Sequence, residues 1–183
     1  ELGAMRKAAK IAVLAHKRAM QAAKPGMFEY ELEAEFAHEF RSNGVENSYN
    51  PIVGSGANGC ILHYNLNNRQ TETGDLVLID AGCEVDCYAA DITRTFPVNG
   101  VFSNAQRELY DVVVSAHTEA IKHISPGRSW HEFHEAAVRE ITRGLRDLGI
   151  LKGRLADLIR KESYRPFFMH RTGHWLGMDV HDV

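Results

Sequence analysis

The chain has 183 residues, a length typical of one domain, and 44% of them are hydrophobic, which is enough for a core. With 25% charged residues and a net charge of -3, it has neither the composition of a disordered chain nor the basic surface of a nucleic-acid-binding protein. No apolar run approaches the roughly 18 residues of a membrane span, and the first residues lack a signal-peptide pattern. We therefore expect neither nucleic acid nor a membrane as a partner.

The cysteine count indicates a reducing compartment. Three cysteines, Cys60, Cys83 and Cys87, cannot all pair with one another, which is typical of free thiols in a cytoplasmic protein. Cys83 and Cys87 are close enough in sequence to meet across a turn. Small residues near the end of a hairpin are a more common situation than a disulfide or a metal site. We predict free thiols and a cytoplasmic location.

The first half of the chain begins with two predicted helices. Alanine and methionine recur at helical spacing over residues 1–24, and Pro25-Gly26 ends that helix. A second helix follows and stops at Gly44. Its apolar face consists of Leu32, Phe36 and Phe40, at intervals of four residues.

A glycine-rich loop interrupts the extended segments that come next. Residues 54–59 match the pattern G-x-G-x-x-G of dinucleotide-binding proteins, in which the last glycine opens a helix facing the phosphates. Here residues 60–64 follow, and their composition predicts a strand. Because no helix is expected after the loop, we predict a close-packed loop beside a cleft and no nucleotide site.

The segment Asp75–Pro97 predicts a hairpin that carries two acidic residues. β-Branched and apolar residues dominate 76–79 and 92–96, and the polar residues 84–87 suit a turn. If the turn consists of Val85 and Asp86, then Asp80 and Asp91 are directly opposite, with Cβ atoms about 4.5–5.5 Å apart. Two carboxylates at that distance repel, so a proton or a cation must lie between them. This favours a metal site; a solvated surface pair is the alternative.

The order of elements then repeats. Ser103-x-x-Gln106 and Ser129-x-x-Glu132 are capping boxes, each opening a further helix. The succession of helix, Pro-Gly, helix and Gly occurs twice at nearly constant separation, which predicts a duplicated unit of two helices and two strands. The first repeat would span about 1–98 and the second about 103–183, with Phe167–Val183 only beginning its strands. A coincidence of two helix pairs is the alternative.

Several histidines lie near the end of the chain. His170 and His174 are four residues apart, as in a zinc-binding helix, but Gly173 and Gly177 disfavour a helix and no glutamate follows His170. An extended segment that brings these histidines and His181 into one cleft explains the pattern better. A hydrogen-bonded core histidine is the alternative for any one of them.

Three long segments resemble a known family. IVGSGANGCILHYN, DLVLIDAGCEVDCYAADITRTFPVNG and FFMHRTGHWLGMDVHD are similar to the pita-bread metallopeptidases, which include Xaa-Pro aminopeptidase, prolidase, creatinase and methionine aminopeptidase. The similarity covers nearly the whole chain and is closest to the bacterial Xaa-Pro aminopeptidases. It implies an α+β pita-bread fold, with duplicated ααββ units around a curved antiparallel sheet and an incomplete second half. Members of this family often form homo-oligomers.

The resemblance also implies a site. Asp80 would bind one divalent metal, Asp91 would bridge two, and His174 would bind the other; manganese is expected first, with cobalt or zinc as alternatives. His63, His170 and His181 would contact the substrate and stabilise the tetrahedral intermediate.

The expected activity follows from the same resemblance. A water held between the two metals would hydrolyse the peptide bond between an N-terminal residue and a following proline, so the partner is a peptide with proline in second position. A prolidase and a non-catalytic binding module are the alternatives. The two glutamate ligands of the family come after the VHD segment, so we expect the isolated chain to be inactive.

Overall fold

The computed structural model describes residues 1–182, which contain helices and short antiparallel strands. The α-helices of this part of the chain are α1 (Leu2–Ala22), α2 (Glu29–Ser42), α3 (Asn104–Lys122), α4 (Trp130–Asp147) and α5 (Leu155–Arg160). Its strands are β1 (Glu46–Asn47), β2 (Ile52–Ser55), β3 (Leu76–Ala81), β4 (Cys83–Val85), β5 (Tyr88–Ala89) and β6 (Ile92–Pro97). None of the helices in this part of the chain is long and apolar enough to cross a membrane.

Two compact units divide the chain. The first comprises Glu1–Phe102 together with Trp175–Val183, and the second comprises Ser103–His174. The first therefore contains α1, α2 and every described strand, and the second contains α3, α4 and α5. The repeat boundaries expected from sequence, about 1–98 and 103–183, stay a prediction.

The core of the first unit lies between its two helices and the strands. The predicted apolar face of α2 is confirmed, because Leu32, Phe36 and Phe40 are buried. Helix α1 contributes mostly small side chains, which let its backbone lie close to the strands. Its buried apolar residues are Ala8, Ile11, Ala12, Ala15 and Ala19. Each fully buried phenylalanine stabilises the fold by roughly 1.5–3 kcal/mol, so α2 anchors this unit.

The hairpin of residues 76–97 has a different register from the one expected. The turn consists of Asp86 and Cys87, both with positive φ, and not of Val85 and Asp86. In consequence Asp80 pairs with Thr93, and the prediction that Asp80 and Asp91 are directly opposite is wrong. The register is shifted by two residues, and since side chains alternate with a period of two, both aspartates still belong to the same face.

The hairpin is also divided in its middle. Strands β2, β3 and β6 form one sheet and β1, β4 and β5 form another, with the boundary at Gly82 and Ala90. A Cβ atom on Gly82 would lie 1.7 Å from the carbonyl oxygen of Ala90, so only glycine fits there. Ser48 stabilises the junction, because its backbone N–H donates to Gly82 O (3.0 Å) and its hydroxyl donates to Ala90 O (2.7 Å).

The glycine-rich loop is tightly packed, as expected, but its continuation is not a strand. A Cβ atom on Gly54 would lie 2.9 Å from the backbone of Asn58. A short 3-10 helix spans Gly56–Cys60, where no helix was expected, and residues 61–64 form turn and irregular structure. The strand predicted at 60–64 is therefore wrong; the chain leaves the sheet after β2.

The second unit is built around the packed helices α3 and α4, whose N-terminal ends were correctly predicted. Both capping boxes are present, and the Ser103 hydroxyl accepts from Gln106 N while Gln106 accepts from Ser103 N. Gly144 of α4 lies against Val112 of α3. The sequence pattern did not predict α5.

No strand forms within residues 167–182; an isolated bridge joins Trp175 to Asp182.

The cysteines are free, as the sequence predicted. Cys60 and Cys87 are exposed, whereas Cys83 is fully buried beneath α1. Its thiol lies 3.4 Å from the carbonyl oxygen of Ala8, and burial raises the pKa of Cys83 to about 11. This thiol is therefore protonated near neutral pH and acts as a small core side chain.

Candidate active site

Two aspartates of the first unit share one hydrogen-bond donor. The alternation of β3 buries Val77, Ile79 and Ala81 on one face and leaves Asp80 on the other. The hydroxyl of Tyr49 lies 2.5 Å from Asp80 Oδ1 and 2.9 Å from Asp91 Oδ1. One hydroxyl proton cannot neutralise two carboxylates. A further proton or a cation is therefore needed to stabilise this pair.

The pKa values of Asp80 and Tyr49 reflect the repulsion between the two carboxylates. Burial raises the pKa of the Asp80 carboxyl, the Asp91 charge raises it further, and the Tyr49 hydrogen bond opposes the rise. Burial and the two aspartates raise the pKa of Tyr49 far above its ordinary value, so its hydroxyl stays protonated. The arrangement is unfavourable in the absence of a cation, which is typical of functional carboxylate pairs.

The aspartates lie in a cleft of about 570 Å³ that also contains two of the predicted histidines. His63 and His181 both line this cleft, so the structure brings together four of the six predicted site residues. The other residues that line it are Ser48, Tyr49, Asn50, Ile52, Asn65, Asp179 and Val180. All of them belong to the first unit.

Each histidine is presented by a short irregular segment. His63 has a φ of 54°, a left-handed conformation that L-residues adopt only where the surrounding structure stabilises it. The segment that carries His181 is tied to β5, because Ala89 N–H donates to Gly177 O (2.9 Å). Gly177 itself lies so close to Asp182 that a side chain at this position would overlap its carboxylate.

The remaining two predicted histidines, His170 and His174, belong to the second unit, where both are exposed. They are on a segment that packs against α4: His134 Nδ1 lies 2.7 Å from the Thr172 hydroxyl, and Gly173 lies against the ring of Phe133. The Nδ1 atom of His170 lies 3.1 Å from the carbonyl oxygen of Arg171. The assignment of His174 as a metal ligand and of His170 as a substrate contact stays a prediction.

The aspartate pair fits a metal ion in the type of its donors. Carboxylate oxygens suit hard or borderline divalent cations, and a cation would offset the repulsion that Tyr49 offsets only in part. Within residues 1–182, no group of three or more histidine, cysteine, aspartate or glutamate side chains could hold a metal ion. Asp80 and Asp91 are thus the core of a candidate metal site that needs further ligands.

Sequence reasoning missed Tyr49. This tyrosine precedes β2 and reaches aspartates 31 and 42 positions further along the chain, and no local periodicity marks such a contact. The only available signal was its position, between polar residues and at the start of a strand segment. Asp179 of the cleft was also missed, because the histidines around it dominate the pattern.

Comparison with solved structures defines the class of fold. The chain superposes on Pseudomonas aeruginosa aminopeptidase PepP with a TM-score of 0.99 and 55% identity, covering 100% of this chain and 42% of that one. For Zn-substituted Escherichia coli aminopeptidase P in complex with product, the TM-score is 0.98, the identity 54% and the coverage 100% and 42%. The protein therefore has the pita-bread fold, of which this chain contains a part.

The sequence comparisons define the family. Residues 3–183 match the model of metallopeptidase family M24, and the chain belongs to that family. The Xaa-Pro aminopeptidases of Escherichia coli (strain K12) and Haemophilus influenzae are 54% and 52% identical to it over 184 residues. Those matches cover 100% of this chain but only 42% and 43% of the relatives.

Proposed function

We propose that the protein is an Xaa-Pro aminopeptidase, which hydrolyses the peptide bond between an N-terminal residue and a following proline. The observation that carries this proposal is the pair Asp80 and Asp91, joined by Tyr49 in a cleft that His63 and His181 also line. The names of the relatives at 54% and 52% identity support it. Because the chain spans about 42% of their length, the proposal concerns the whole protein.

The cofactor that we propose is a pair of divalent ions, manganese in the first place. Asp80 and Asp91 would hold it together with His174 and further ligands. When bound, such a pair lowers the pKa of a water molecule to near neutrality and polarises the scissile carbonyl. One solved relative carries zinc, so zinc stays an alternative.

The residues of the cleft would perform the remaining steps. His63 and His181 carry N–H groups that can donate to a carbonyl oxygen as negative charge develops on it, and His170 would be a third such donor. Tyr49 would orient the two carboxylates through its hydroxyl, because it contacts both of them. The apolar side chain of Ile52 and the partly enclosed cleft would limit access of bulk water.

The activity test is the release of the N-terminal residue from an Xaa-Pro-Xaa tripeptide by the whole protein, with and without Mn²⁺. We expect metal-dependent release, and no release from the matched Xaa-Ala-Xaa peptide. Cleavage of Xaa-Pro dipeptides in preference to the tripeptide would identify a prolidase instead. Absence of any peptide hydrolysis while Mn²⁺ binds would favour a non-catalytic module.

The variant Asp91→Ala tests the metal site. We expect it to abolish Mn²⁺ binding and peptide release together, because removal of one carboxylate leaves Asp80 as a single acidic donor in the cleft. The matched control is Asp86→Asn, a change in the exposed turn of the same hairpin that keeps a residue type tolerant of positive φ. Calorimetric titration with Mn²⁺ checks both variants, and unchanged binding in Asp91→Ala would contradict a bridging role.

The location and the assembly also belong to this proposal. We place the protein in the cytoplasm, which the three free thiols support. Association into homo-oligomers stays a prediction from the family resemblance.

A further inference from the structure

A buried carboxylate lies outside the candidate metal site. Glu29, the first residue of α2, is 0% exposed, although an acidic side chain is almost never fully buried unless its charge is compensated. Within residues 1–182 it forms no ion pair, although the Arg69 guanidinium is near enough to interact with its charge. Hydrogen-bond donors converge on its two oxygens instead, and they belong to four residues of the first unit.

The donors are distributed over both carboxylate oxygens, and Asn58 Nδ2 is within reach of both. Ser55 donates to Oε1 through both its backbone N–H and its hydroxyl, each at 2.7 Å, and Asn58 Nδ2 lies 3.2 Å from the same atom. Tyr64 donates its hydroxyl to Oε2 at 2.7 Å, and the backbone N–H of Arg69 does so at 3.0 Å. Burial by itself raises the pKa of Glu29, but these hydrogen bonds outweigh it and hold the pKa below its ordinary value.

All four donor residues lie on one continuous segment, residues 55–69, and that segment carries His63. Tyr64, the neighbour of His63, is 6% exposed, whereas His63 is exposed in the cleft. The buried Tyr64 hydroxyl also accepts from Asn58 Nδ2 at 2.9 Å. The segment is thus fixed on both sides of His63 by contacts that meet at Glu29.

A second contact from the same helix supports this arrangement. Glu33, one helical turn after Glu29, accepts a hydrogen bond from the Asn67 side chain at 2.8 Å. Asn67, which has a positive φ of 44°, also accepts from Val53 N and donates to Pro51 O, each at 2.9 Å. The segment 55–69 contains little regular structure that could fix its path. Its path is therefore determined by these contacts with one face of α2.

We propose that Glu29 is a positioning residue that holds His63 at the cleft, an inference that rests on the proposed function. The left-handed backbone of His63 is a conformation that must be stabilised by its surroundings. Glu29 provides this stabilisation through Tyr64 on one side and through Ser55 and Asn58 on the other. Helix α2, which anchors the core of the first unit, thereby also positions His63 in the cleft.

The test compares Glu29→Gln with Glu31→Gln. The glutamine keeps the size of Glu29 but replaces one acceptor oxygen by an N–H₂ donor. Depending on the orientation of the amide, this donor meets the donors Tyr64 and Arg69 or the donor Ser55, so hydrogen bonds are lost in either case. Glu31 is the matched control on the same helical turn, because its carboxylate accepts from the backbone N–H of Phe28 and, within residues 1–182, makes no hydrogen bond to the segment 55–69. Both variants are made in the whole protein and in His63→Ala.

The kinetic result distinguishes positioning from general stability. We expect Glu29→Gln to lower kcat about 10- to 100-fold with little change in KM, as a displaced catalytic group does. In the His63→Ala background the same change should lower kcat by no more than about two-fold, because the effect acts through the missing imidazole. Equal fold losses in both backgrounds would overturn the proposal.

Amide hydrogen exchange tests whether Glu29 fixes the segment that carries His63, and it needs no substrate. The test therefore also applies if the whole protein shows no peptidase activity. We expect faster exchange of the amides of residues 61–66 in Glu29→Gln and no change there in Glu31→Gln. Unchanged exchange in Glu29→Gln would overturn the proposal. If this variant fails to fold, Tyr64→Phe replaces it, since that change removes only the hydroxyl beside His63 and should give the same effects in smaller size.

Discussion

At the scale of single residues, the candidate metal site contains an unfavourable interaction, the repulsion between the carboxylates of Asp80 and Asp91. Asp80 and Asp91 approach the same hydroxyl, although their charges repel and Asp80 is partly removed from water. Tyr49 offsets this repulsion only in part. The folded state binds the proton of a group with a raised pKa more tightly than the unfolded state does. The fold therefore becomes less stable as the pH rises from the ordinary pKa of that group to its raised folded-state pKa.

Asp80→Asn should therefore stabilise the protein in the absence of metal. We expect a higher midpoint of thermal unfolding than wild type at pH 7 in a chelating buffer, because the change removes a buried charge and keeps an oxygen that accepts from Tyr49. The gain should shrink as the pH falls through the raised pKa of the native carboxyl toward its ordinary value of 3.8. Asp86→Asn, an exposed change in the same hairpin, serves as the control. A lower midpoint for Asp80→Asn at pH 7 would contradict this account.

At the scale of elements, the divided hairpin determines where the carboxylates lie. Strand β3 ends at Ala81 and β6 begins at Ile92, and between them the chain forms β4 and β5 of the other sheet. Gly82 and Ala90 lie in close contact, and in this register Asp80 and Asp91 reach the same Tyr49 hydroxyl. Ser48 adds two hydrogen bonds to the same point, directly before Tyr49.

Gly82→Ala should be severely destabilising for this reason. Its new methyl group would lie 1.7 Å from the carbonyl oxygen of Ala90, so the backbone of both strands must move. Overpacking of a core usually costs about 1–3 kcal/mol, and a clash with backbone belongs at or above the upper end of that range. Denaturant unfolding measures the loss. The control is Gly3→Ala in α1, where the new methyl group meets nothing within 4 Å and no loss of stability is expected.

At the scale of the whole molecule, buried ionisable groups determine how folding responds to pH. His16 of α1 is 4% exposed, its Nε2 atom lies 3.3 Å from Ala81 O, and its ring packs edge-on against Phe36. No protein group within residues 1–182 partners its Nδ1 atom. Burial lowers the pKa of His16 below 6.5, although its hydrogen bond to Ala81 opposes the change. The unfolded chain therefore binds a proton before the folded chain does.

Stability should fall as the pH drops below about 6.5, the ordinary pKa of this side chain. The decline continues until the lowered pKa of the folded state is reached. Glu29, whose folded-state pKa is also lowered, adds a second decline below about 4.5, its ordinary value. Urea unfolding between about pH 3 and pH 8 measures both. His16→Gln should remove the first decline and leave the second, with the exposed His38→Gln as control; a wild-type profile in His16→Gln would disprove the role of His16.

The sequence alone determined those features that depend on local chemistry. Helical periodicity, Pro-Gly stops and capping boxes predicted α1 to α4, because these signals act within a few residues. The long motifs around Asp80 and Asp91 identified the pita-bread family, which the comparisons confirm. Asp80, Asp91, His63 and His181 were expected in one cleft, and they line it. The functional roles of these residues stay predictions.

Only the tertiary structure decided the register, the division of the hairpin and the contacts of Tyr49 and Glu29. A turn at Val85-Asp86 and one at Asp86-Cys87 are both compatible with the local sequence, and the folded chain adopts the second. The segment 60–64 has the composition of a strand but leaves the sheet, and its Tyr64 hydroxyl donates to the Glu29 carboxylate of α2. These outcomes depend on residues tens of positions apart, whose meeting no local pattern records.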